Sequence, residues 1–432
     1  MPCELPGDVR FFPRSSEKVV TMRFLPLVLL LFAMLSCSSG TEPAKTPTES
    51  GGNRVQQPKD VEPSQRMMLA HYMPWFSAKP LSHSWGWHWT MNAFNPDKTV
   101  DGRRQIASHF YPLIGPYDSS DPHVLEFHLL LMKLSGIDGV IVAWYGLHEF
   151  RDYPMLHRNS QHLVKQVERL GMKFAICYED QTIPTLVKAR QLSADKRIAH
   201  AIGEVKWLAE NWFSLKSYVR LDGRPVLLSF GQKGLTAKEW SQCLEGTKLP
   251  IAYISQHHRR ISAWGAFDWP IPAKGLSAIK QFQESSRKWP QSISVAFPRF
   301  VDIYAEAKVH KSWGRIEDEH GKTFRTSITQ AISSNSQLIQ IATWNDWGEG
   351  SMIEPSREYG YRDLKVLQNI RRKHIDARFP ATEADLKLPA QLLALRRKQL
   401  DKSKQLDGIS ELIATGKLIQ ARSELRTFAH GP

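Results

Sequence analysis

The sequence is poor in cysteine and has no grouping of residues typical of a metal centre. Only four cysteines occur in 432 residues, and Cys3, Cys37, Cys177 and Cys243 follow no zinc or iron–sulfur spacing. Cys177 lies in an apolar run and Cys243 in a helix-like one, so we expect buried free thiols; a 177–243 disulfide is the open alternative. The sequence therefore predicts no metal and no cofactor.

Glycine-rich phosphate loops are also missing. None of the strand-like apolar runs is followed by a loop of the kind that cradles a nucleotide phosphate. This absence argues against a nucleotide-binding, doubly wound sheet, which is the alternative architecture for a chain with this pattern.

Negative charge is in the minority. The chain has 57 Lys and Arg against 43 Asp and Glu, a formal net charge of +14. Such an excess permits binding to nucleic acid or to an acidic or sulfated polysaccharide. The basic residues are scattered, however, and local clusters at 371–373 and 396–398 fall in helix-like segments. We therefore predict solvated helix faces and no nucleic-acid partner.

The first 64 residues look like an export leader followed by a tether. Residues 22–37 have a basic start, an apolar run too short for a permanent membrane span, small residues and then Cys37. This resembles a bacterial lipoprotein signal with Cys37 acylated; cleavage by the ordinary signal peptidase is the alternative, and Met22 is a better initiator than Met1. Residues 38–64 have the composition of a flexible linker. We expect an exported monomer, lipid-anchored to the cell envelope or secreted, whose only contact with a membrane is the anchor.

Eight apolar runs alternate with helical stretches from residue 65 onward. Runs without polar alternation favour parallel strands that are buried on both faces. The sequence therefore predicts a (β/α)8 TIM barrel over 65–375 and a helical appendage over 376–432, divided into two or three helices at Gly408 and Gly416. The predicted strands are 67–73, 138–144, 173–178, 225–230, 250–255, 265–268, 292–297 and 338–344, and the predicted helices are 121–134, 157–170, 197–214, 236–244, 275–284 and 322–334.

Aromatic and polar side chains cluster where these strands end, which is where barrels form their active sites. Aromatic rings stack on sugars and carboxyl groups perform acid–base chemistry, so this composition is typical of a carbohydrate cleft. The long segment 74–120 also carries Trp85, Trp87 and Trp89, which either line the cleft or pack the loop onto the barrel. The candidate substrate-binding residues are Tyr72, Trp75, Trp144, Tyr145, Glu179, His257, Asp268, Arg299 and Trp347.

Asp346 and Glu349 are the candidate catalytic residues. They lie three positions apart just after the last predicted strand, flanked by Trp344, Trp347 and glycines. If the turn is tight, both carboxyl groups face one cavity, where one can protonate a glycosidic oxygen and the other can act as base or nucleophile. The alternative is a loop of acids that cap backbone groups.

Three stretches resemble glycoside hydrolase family 99, the endo-α-mannosidases: 106–123 with Trp144-Tyr145, Cys177-Tyr178-Glu179, and 343–354. The last motif also resembles the mixed family 71/99-like group, which includes α-1,3-glucanases. The resemblance implies a retaining, endo-acting enzyme in which the substrate's own 2-hydroxyl takes part. It implies Glu349 as acid/base, Asp346 as the residue that assists the 2-hydroxyl, and Glu179 and Glu354 as subsite or supporting residues. The chain departs from the family at Asp346, where Glu is typical, and at Gly348, where His is typical.

The competing interpretation is a surface glycan-binding protein without turnover, built on the same barrel. An α-glucanase or an enzyme acting on sulfated polysaccharide is a further alternative. In each case the expected partner is an oligosaccharide or polysaccharide.

Overall fold

The structure is a computed structural model that describes residues 66–398 and 402–430. The predicted leader, the tether and the lipidation site at Cys37 lie outside the described residues. Among the residues that are described, no helix has the length and apolar character needed to cross a membrane.

Eight parallel strands form a closed barrel. They follow one another around it in chain order, and the third strand pairs with the fourth to complete the circle. The strands are β1 (Met67–Tyr72), β2 (Gly139–Trp144), β3 (Lys173–Tyr178), β4 (Arg224–Ser229), β5 (Ala252–Gln256), β6 (Gly265–Phe267), β7 (Gln291–Ala296) and β8 (Leu338–Ile341). The predicted barrel is confirmed, and each strand lies within three residues of its predicted bounds. β8 ends three residues earlier than predicted, and beyond its end the Trp344 amide still donates to the carbonyl of His71 in β1.

Helices surround the barrel and return the chain from the end of one strand to the start of the next. The helices are α1 (Trp87–Thr90), α2 (Pro122–Ser135), α3 (Tyr153–Arg169), α4 (Thr182–Lys188), α5 (Arg197–Leu208), α6 (Ala237–Thr247), α7 (Leu276–Ser286), α8 (Lys322–Ile332), α9 (Arg362–His374), α10 (Leu388–Lys398), α11 (Ser403–Ala414) and α12 (Leu418–His430). Short 3-10 or π turns occur at Ala194–Lys196, Ala209–Phe213, Glu319–Gly321 and Glu383–Lys387. The connection from β5 to β6, residues 257–264, contains no helix.

Helix α2 shows how local sequence sets these bounds. The Asp121 side chain accepts hydrogen bonds from the amides of His123 and Val124, and Pro122 occupies the first helical position. Gly136 ends the helix in the left-handed conformation, with φ of 83°. The result is a well-defined helix whose apolar residues pack against the barrel.

Helices α10 to α12 form the predicted helical appendage, and they pack beside α2. A buried ion pair joins Arg396 of α10 to Glu126 of α2, with the guanidinium Nε 2.9 Å from the carboxylate. The predicted break at Gly408 is wrong, because Gly408 lies inside α11; the break at Gly416 is present. A helix tolerates an isolated glycine at a modest cost when its other residues pack well.

The alternation of side chains along each strand decides which strand-end residues reach the barrel interior. In β2, Ile141 and Ala143 point inward, whereas Val140, Val142 and Trp144 pack outward against the helices. Tyr145 therefore continues the inward series. Two short hairpins, Thr99–Val100 with Arg103–Arg104 and Phe300–Val301 with Arg315–Ile316, extend the loops above the barrel mouth, and Arg220–Leu221 pairs with β4.

Candidate active site

A tight turn after β8 holds Asp346 and Glu349. The Asp346 amide donates to Thr343 Oγ1 at 2.8 Å, and Asp346 Oδ1 accepts from the Glu349 amide at 3.1 Å. Asp346 is buried, whereas Glu349 is half-buried. The turn therefore places both carboxyl groups at the barrel mouth, with Glu349 the more accessible of the two.

The loop after β7 clamps this turn from one side. The amide of Val301 donates to the carbonyl of Glu349 at 2.8 Å, and the amide of Ile303 donates to the carbonyl of Gly348 at 3.0 Å. Farther along the same loop, the Tyr304 hydroxyl lies 3.5 Å from Glu349 Oε1. The seventh loop thus fixes the backbone of the acid turn and adds a phenol to its cavity.

Burial raises the pKa of both acids, and neighbouring negative charges add to the rise at Glu349. Burial raises the pKa of Asp346 from 3.8 to about 7, against the opposing hydrogen bonds from the amides of Glu349 and Gly348. The pKa of Glu349 lies well above its ordinary range, chiefly because of burial, and then because of the charges of Asp346 and Asp302. Glu349 therefore holds its proton more strongly than an ordinary glutamate, whereas Asp346 releases its own near neutrality, and such a division suits one group to act as acid and the other as base.

Glu179 joins this cluster from the end of β3. Its pKa is well above the ordinary value, first because of burial and then because of Asp180 and Asp346. Tyr145 lies within reach of the same charges, and burial together with Glu179 keeps its pKa well above 10. The structure therefore brings the sequence-predicted residues Glu179, Tyr145, Asp346 and Glu349 into one cluster whose charges act on one another.

The long loop after β1 covers the acid turn through Met91. A Cβ atom added at Gly348 would lie 2.8 Å from Met91 Cε, and Met91 itself is buried. Met91 packs with Ile303 and Tyr304 in a small apolar cluster. Gly348 therefore leaves room for a methionine thioether above the two catalytic candidates, and this apolar contact contributes to their burial.

Trp75 forms part of an aromatic wall on the other side of the mouth. Its ring stacks on His88 with centroids 4.1 Å apart and planes 5° apart, and the Tyr145 ring lies 6.4 Å away at an angle. Burial lowers the pKa of His88 to about 3, so that its ring is neutral at physiological pH. Of the loop tryptophans, Trp89 is fully buried and packs the loop onto the barrel, whereas Trp85 and Trp87 are only partly buried.

Three predicted substrate-binding residues instead support the acid turn from behind. Glu354 is buried and accepts from Trp347 Nε1 at 3.0 Å and from the Tyr117 hydroxyl at 2.7 Å. Its other oxygen lies 3.0 Å from His128 Nε2, while Tyr72 bonds His128 Nδ1 at 2.9 Å. Tyr72, Trp347 and Glu354 are therefore not placed to touch a substrate; they belong to a buried network that holds the loop in position.

Trp144 and Arg299 are also enclosed away from the cleft. Trp144 ends an outward-facing series and packs against Trp207 and His157. Arg299 is fully buried, where it pairs with Asp318 and Asp363. Strand alternation explains the position of Trp144, and two neighbouring carboxylates explain that of Arg299, because a buried guanidinium requires such partners.

The ends of β5 and β6 place His257 beside Asp268. His257 Nδ1 lies 3.3 Å from Asp268 Oδ1, which also accepts from the Trp269 amide. Burial raises the pKa of Asp268, and the hydrogen bond from His257 opposes that rise. These two predicted binding residues thus form a pair on the side of the barrel built from β5 and β6.

Sequence reasoning missed several residues of the mouth. Tyr304, Asp302 and Met91 lie in loops without regular periodicity, and His88 lies between Trp87 and Trp89 in the long first loop. The available signals were the lengths of the first loop, 74–120, and of the seventh, 297–321. No group of three or more His, Cys, Asp or Glu side chains suited to a metal ion occurs in residues 66–398 and 402–430. Cys177 and Cys243 are buried free thiols, as expected.

The protein is a parallel eight-stranded barrel with acidic side chains just beyond the carboxyl ends of its strands, which is the arrangement of a TIM-barrel active site. Comparisons with known proteins agree with this architecture. Residues 256–390 match a family described as a domain of unknown function, DUF5010. A Danio rerio glycoprotein endo-alpha-1,2-mannosidase-like protein is 24% identical over 302 residues, covering 62% of this chain and 64% of the relative. The Mus musculus counterpart is 21% identical, with 69% and 72% covered. The chain thus spans less than two thirds of the Danio rerio relative.

Solved structures show the same fold. A GH99 endo-alpha-mannosidase from Bacteroides thetaiotaomicron superposes with a TM-score of 0.52 and 17% identity, covering 74% of this chain and 98% of that one. A structure described as a glycoside hydrolase-like protein has a TM-score of 0.51 and 13% identity, with 74% and 96% covered. The resemblance to glycoside hydrolase family 99 that was expected from the sequence is confirmed.

Proposed function

We propose that this chain is a glycoside hydrolase acting on α-linked, mannan-like glycans, and that Glu349 and Asp346 perform its acid–base chemistry. The observation that carries the proposal is the pair of coupled carboxyl groups after β8, in which both pKa values are raised and Glu349 is the one open to the cleft. The relatives named as endo-alpha-mannosidases support the substrate class.

Each residue receives a role from its environment. Glu349, whose pKa is raised well above its ordinary value, donates its proton to the departing glycosidic oxygen. Asp346, with a pKa of about 7, is the group that accepts a proton from the attacking hydroxyl. Following the family 99 resemblance, that hydroxyl is the substrate's own 2-hydroxyl, water then opens the cyclic intermediate, and the anomeric configuration is retained. Glu179 and Tyr145 lie beside the pair and bind the sugar in the same cavity.

The test compares Glu349→Gln and Asp346→Asn with the full chain on α-mannan oligosaccharides, with products read by mass spectrometry. Both variants should lose about 10²- to 10⁴-fold in kcat, the range for removal of a general acid or base, while sugar binding by calorimetry is kept. Glu358→Gln is the matched control, because Glu358 lies in the same loop but pairs with Arg103 at 2.8 Å. Full activity in both variants would overturn the residue assignment.

A second set of outcomes distinguishes the alternatives. Binding of mannan by the wild-type chain without any turnover would favour a glycan-binding protein. Turnover of α-glucan or sulfated polysaccharide in place of mannan would show that the substrate belongs to one of those classes and not to the mannans. Proton NMR of the first product separates retention from inversion at the anomeric carbon.

We also propose that the protein is exported and anchored through an acylated Cys37. The support is the pattern of residues 22–37, and the Cys37→Ala chain should accordingly lose incorporation of labelled palmitate in bacterial cells. Incorporation by that variant at the wild-type level would refute acylation at this site.

A further inference from the structure

The end of the barrel opposite the cleft carries a large excess of positive charge. We call it the base face; it consists of Arg66, the final turns of the surrounding helices and the connections from them into the next strands. In sequence these segments are 66, 133–138, 168–173, 214–224, 245–251, 284–291, 332–337 and 371–378. They contain fourteen Lys and Arg but only six Asp and Glu.

The mouth of the barrel has the opposite balance. The loops that follow the strands are 73–121, 145–152, 179–181, 230–236, 257–264, 268–275, 297–321 and 342–361. They contain fourteen Lys and Arg against eighteen Asp and Glu. Charge is therefore distributed unevenly along the barrel axis, with net positive charge at the base and net negative charge at the mouth. The overall basic charge comes disproportionately from the end that has no part in the proposed chemistry.

Some cations of the base face have a local structural reason. Lys133 donates to the carbonyl of Leu170 at 2.7 Å, and Arg371 pairs with Asp138 and donates to the carbonyl of Gly136. Positive side chains at helix carboxyl ends complement the helix dipole. Lys248, Lys288 and Lys373 also lie at or just beyond helix carboxyl ends, but they are exposed and have no ion-pair partner among residues 66–398 and 402–430, so their charges are free to act on a partner outside the fold.

The chain outside the described residues enters the fold at this same end. Residues 1–65 lead into Arg66, whose guanidinium donates to the carbonyls of Ile332 and Ser334 at the end of α8. The amino-terminal segment is therefore attached to the base face and not to the cleft end.

We propose that the base face docks on an anionic phospholipid bilayer, with the cleft directed away from it. Charge complementarity and the position of Arg66 both favour this occupant over a soluble partner. The contact adds to any lipid anchor and replaces our expectation that the anchor is the only contact with a membrane. It does not depend on the proposed hydrolase activity.

The test measures binding of the full chain to vesicles of phosphatidylglycerol and phosphatidylcholine, with pure phosphatidylcholine vesicles as reference. Residues 1–65 are present in every variant, so a difference in binding between variants reports on the substituted lysines alone. The base-face variant combines Lys248→Gln, Lys288→Gln and Lys373→Gln. The control variant combines Lys98→Gln, Lys308→Gln and Lys311→Gln, three exposed lysines of the mouth, and has the same net charge.

The base-face variant should bind anionic vesicles on the order of 10- to 100-fold more weakly than wild type at low salt, since each basic residue near a surface adds an appreciable attraction. The control variant should bind nearly as wild type, and all three proteins should hydrolyse a soluble glycan equally. Equal losses in both variants, no preference for anionic vesicles, or equally tight binding to duplex DNA through the same lysines would each overturn the proposal.

Discussion

Replacing Asp346 with asparagine should stabilise the fold at alkaline pH, although it removes activity. The folded protein holds the Asp346 proton more tightly than the unfolded chain, because burial raises the pKa from 3.8 to about 7. The protonated side chain therefore favours the folded state most strongly below pH 3.8, and this advantage is lost as the pH rises through 7. Above pH 7, ionised Asp346 costs the folded state on the order of 4 kcal/mol.

Asparagine carries no charge at any of these pH values, so the variant avoids that cost. The free energy of unfolding of the variant, relative to that of wild type, should rise by about 3 kcal/mol between pH 5 and pH 8. The weaker hydrogen bond that an amide oxygen accepts from the Glu349 amide reduces this gain. In a domain of this size, that difference is a rise of several degrees in the relative Tm.

The assay is thermal unfolding of both proteins at pH 5, 6, 7 and 8, with turnover measured in parallel. Asp97→Asn is a control of opposite sign, because a hydrogen bond from Lys79 lowers the pKa of the exposed Asp97 carboxyl, so this variant should gain nothing at pH 8. A relative Tm of Asp346→Asn that is independent of pH, or that falls toward pH 8, would show that burial of charge does not set the chemistry of this turn.

Three other substitutions test the framework around the turn. Arg299→Met should destabilise the fold by about 3–5 kcal/mol in urea unfolding, because it removes the buried guanidinium that pairs with both Asp318 and Asp363 and leaves Asp363 to Arg362 alone; unchanged stability would contradict the structural role. Glu354→Gln should lower kcat with little change in the KM, because a network behind the turn loosens while the cleft is intact; a selective rise in KM would instead indicate direct contact with substrate. Met91→Ala should let water reach the buried Asp346 and lower its pKa, which shifts the acidic limb of the pH–kcat profile to lower pH, whereas Met91→Leu should restore it; an unmoved limb in Met91→Ala would refute the covering role.

The strands were predictable from sequence for a physical reason. Parallel strands in a barrel are buried on both faces, so each appears as a continuous apolar run, and Gly139–Trp144 shows this pattern clearly. The same reasoning located Glu179, Asp346 and Glu349, since residues just beyond the carboxyl ends of such strands must share one end of the barrel.

What the sequence could not predict was side-chain direction and the packing of loops. Tyr72 and Trp144 end their strands but point outward, and a shift of one position in register reverses that assignment. Arg299 appeared available because its partners Asp318 and Asp363 are 19 and 64 residues away along the chain. Tyr304 and Met91 come from irregular loops, whose approach to the acid turn depends on the whole fold.

The clamp on the acid turn has a consequence for how this cleft can change. Two backbone hydrogen bonds, from Val301 to Glu349 and from Ile303 to Gly348, join the seventh and eighth loops. If the loops close over a substrate, both must move together, because moving one alone would leave buried backbone N–H and C=O groups without hydrogen-bond partners. Transfer of the Asp346–Glu349 turn from one related barrel to another should likewise succeed only when the seventh loop is transferred as well. The active site therefore depends on a pair of loops that must be inherited together, and not on one short motif.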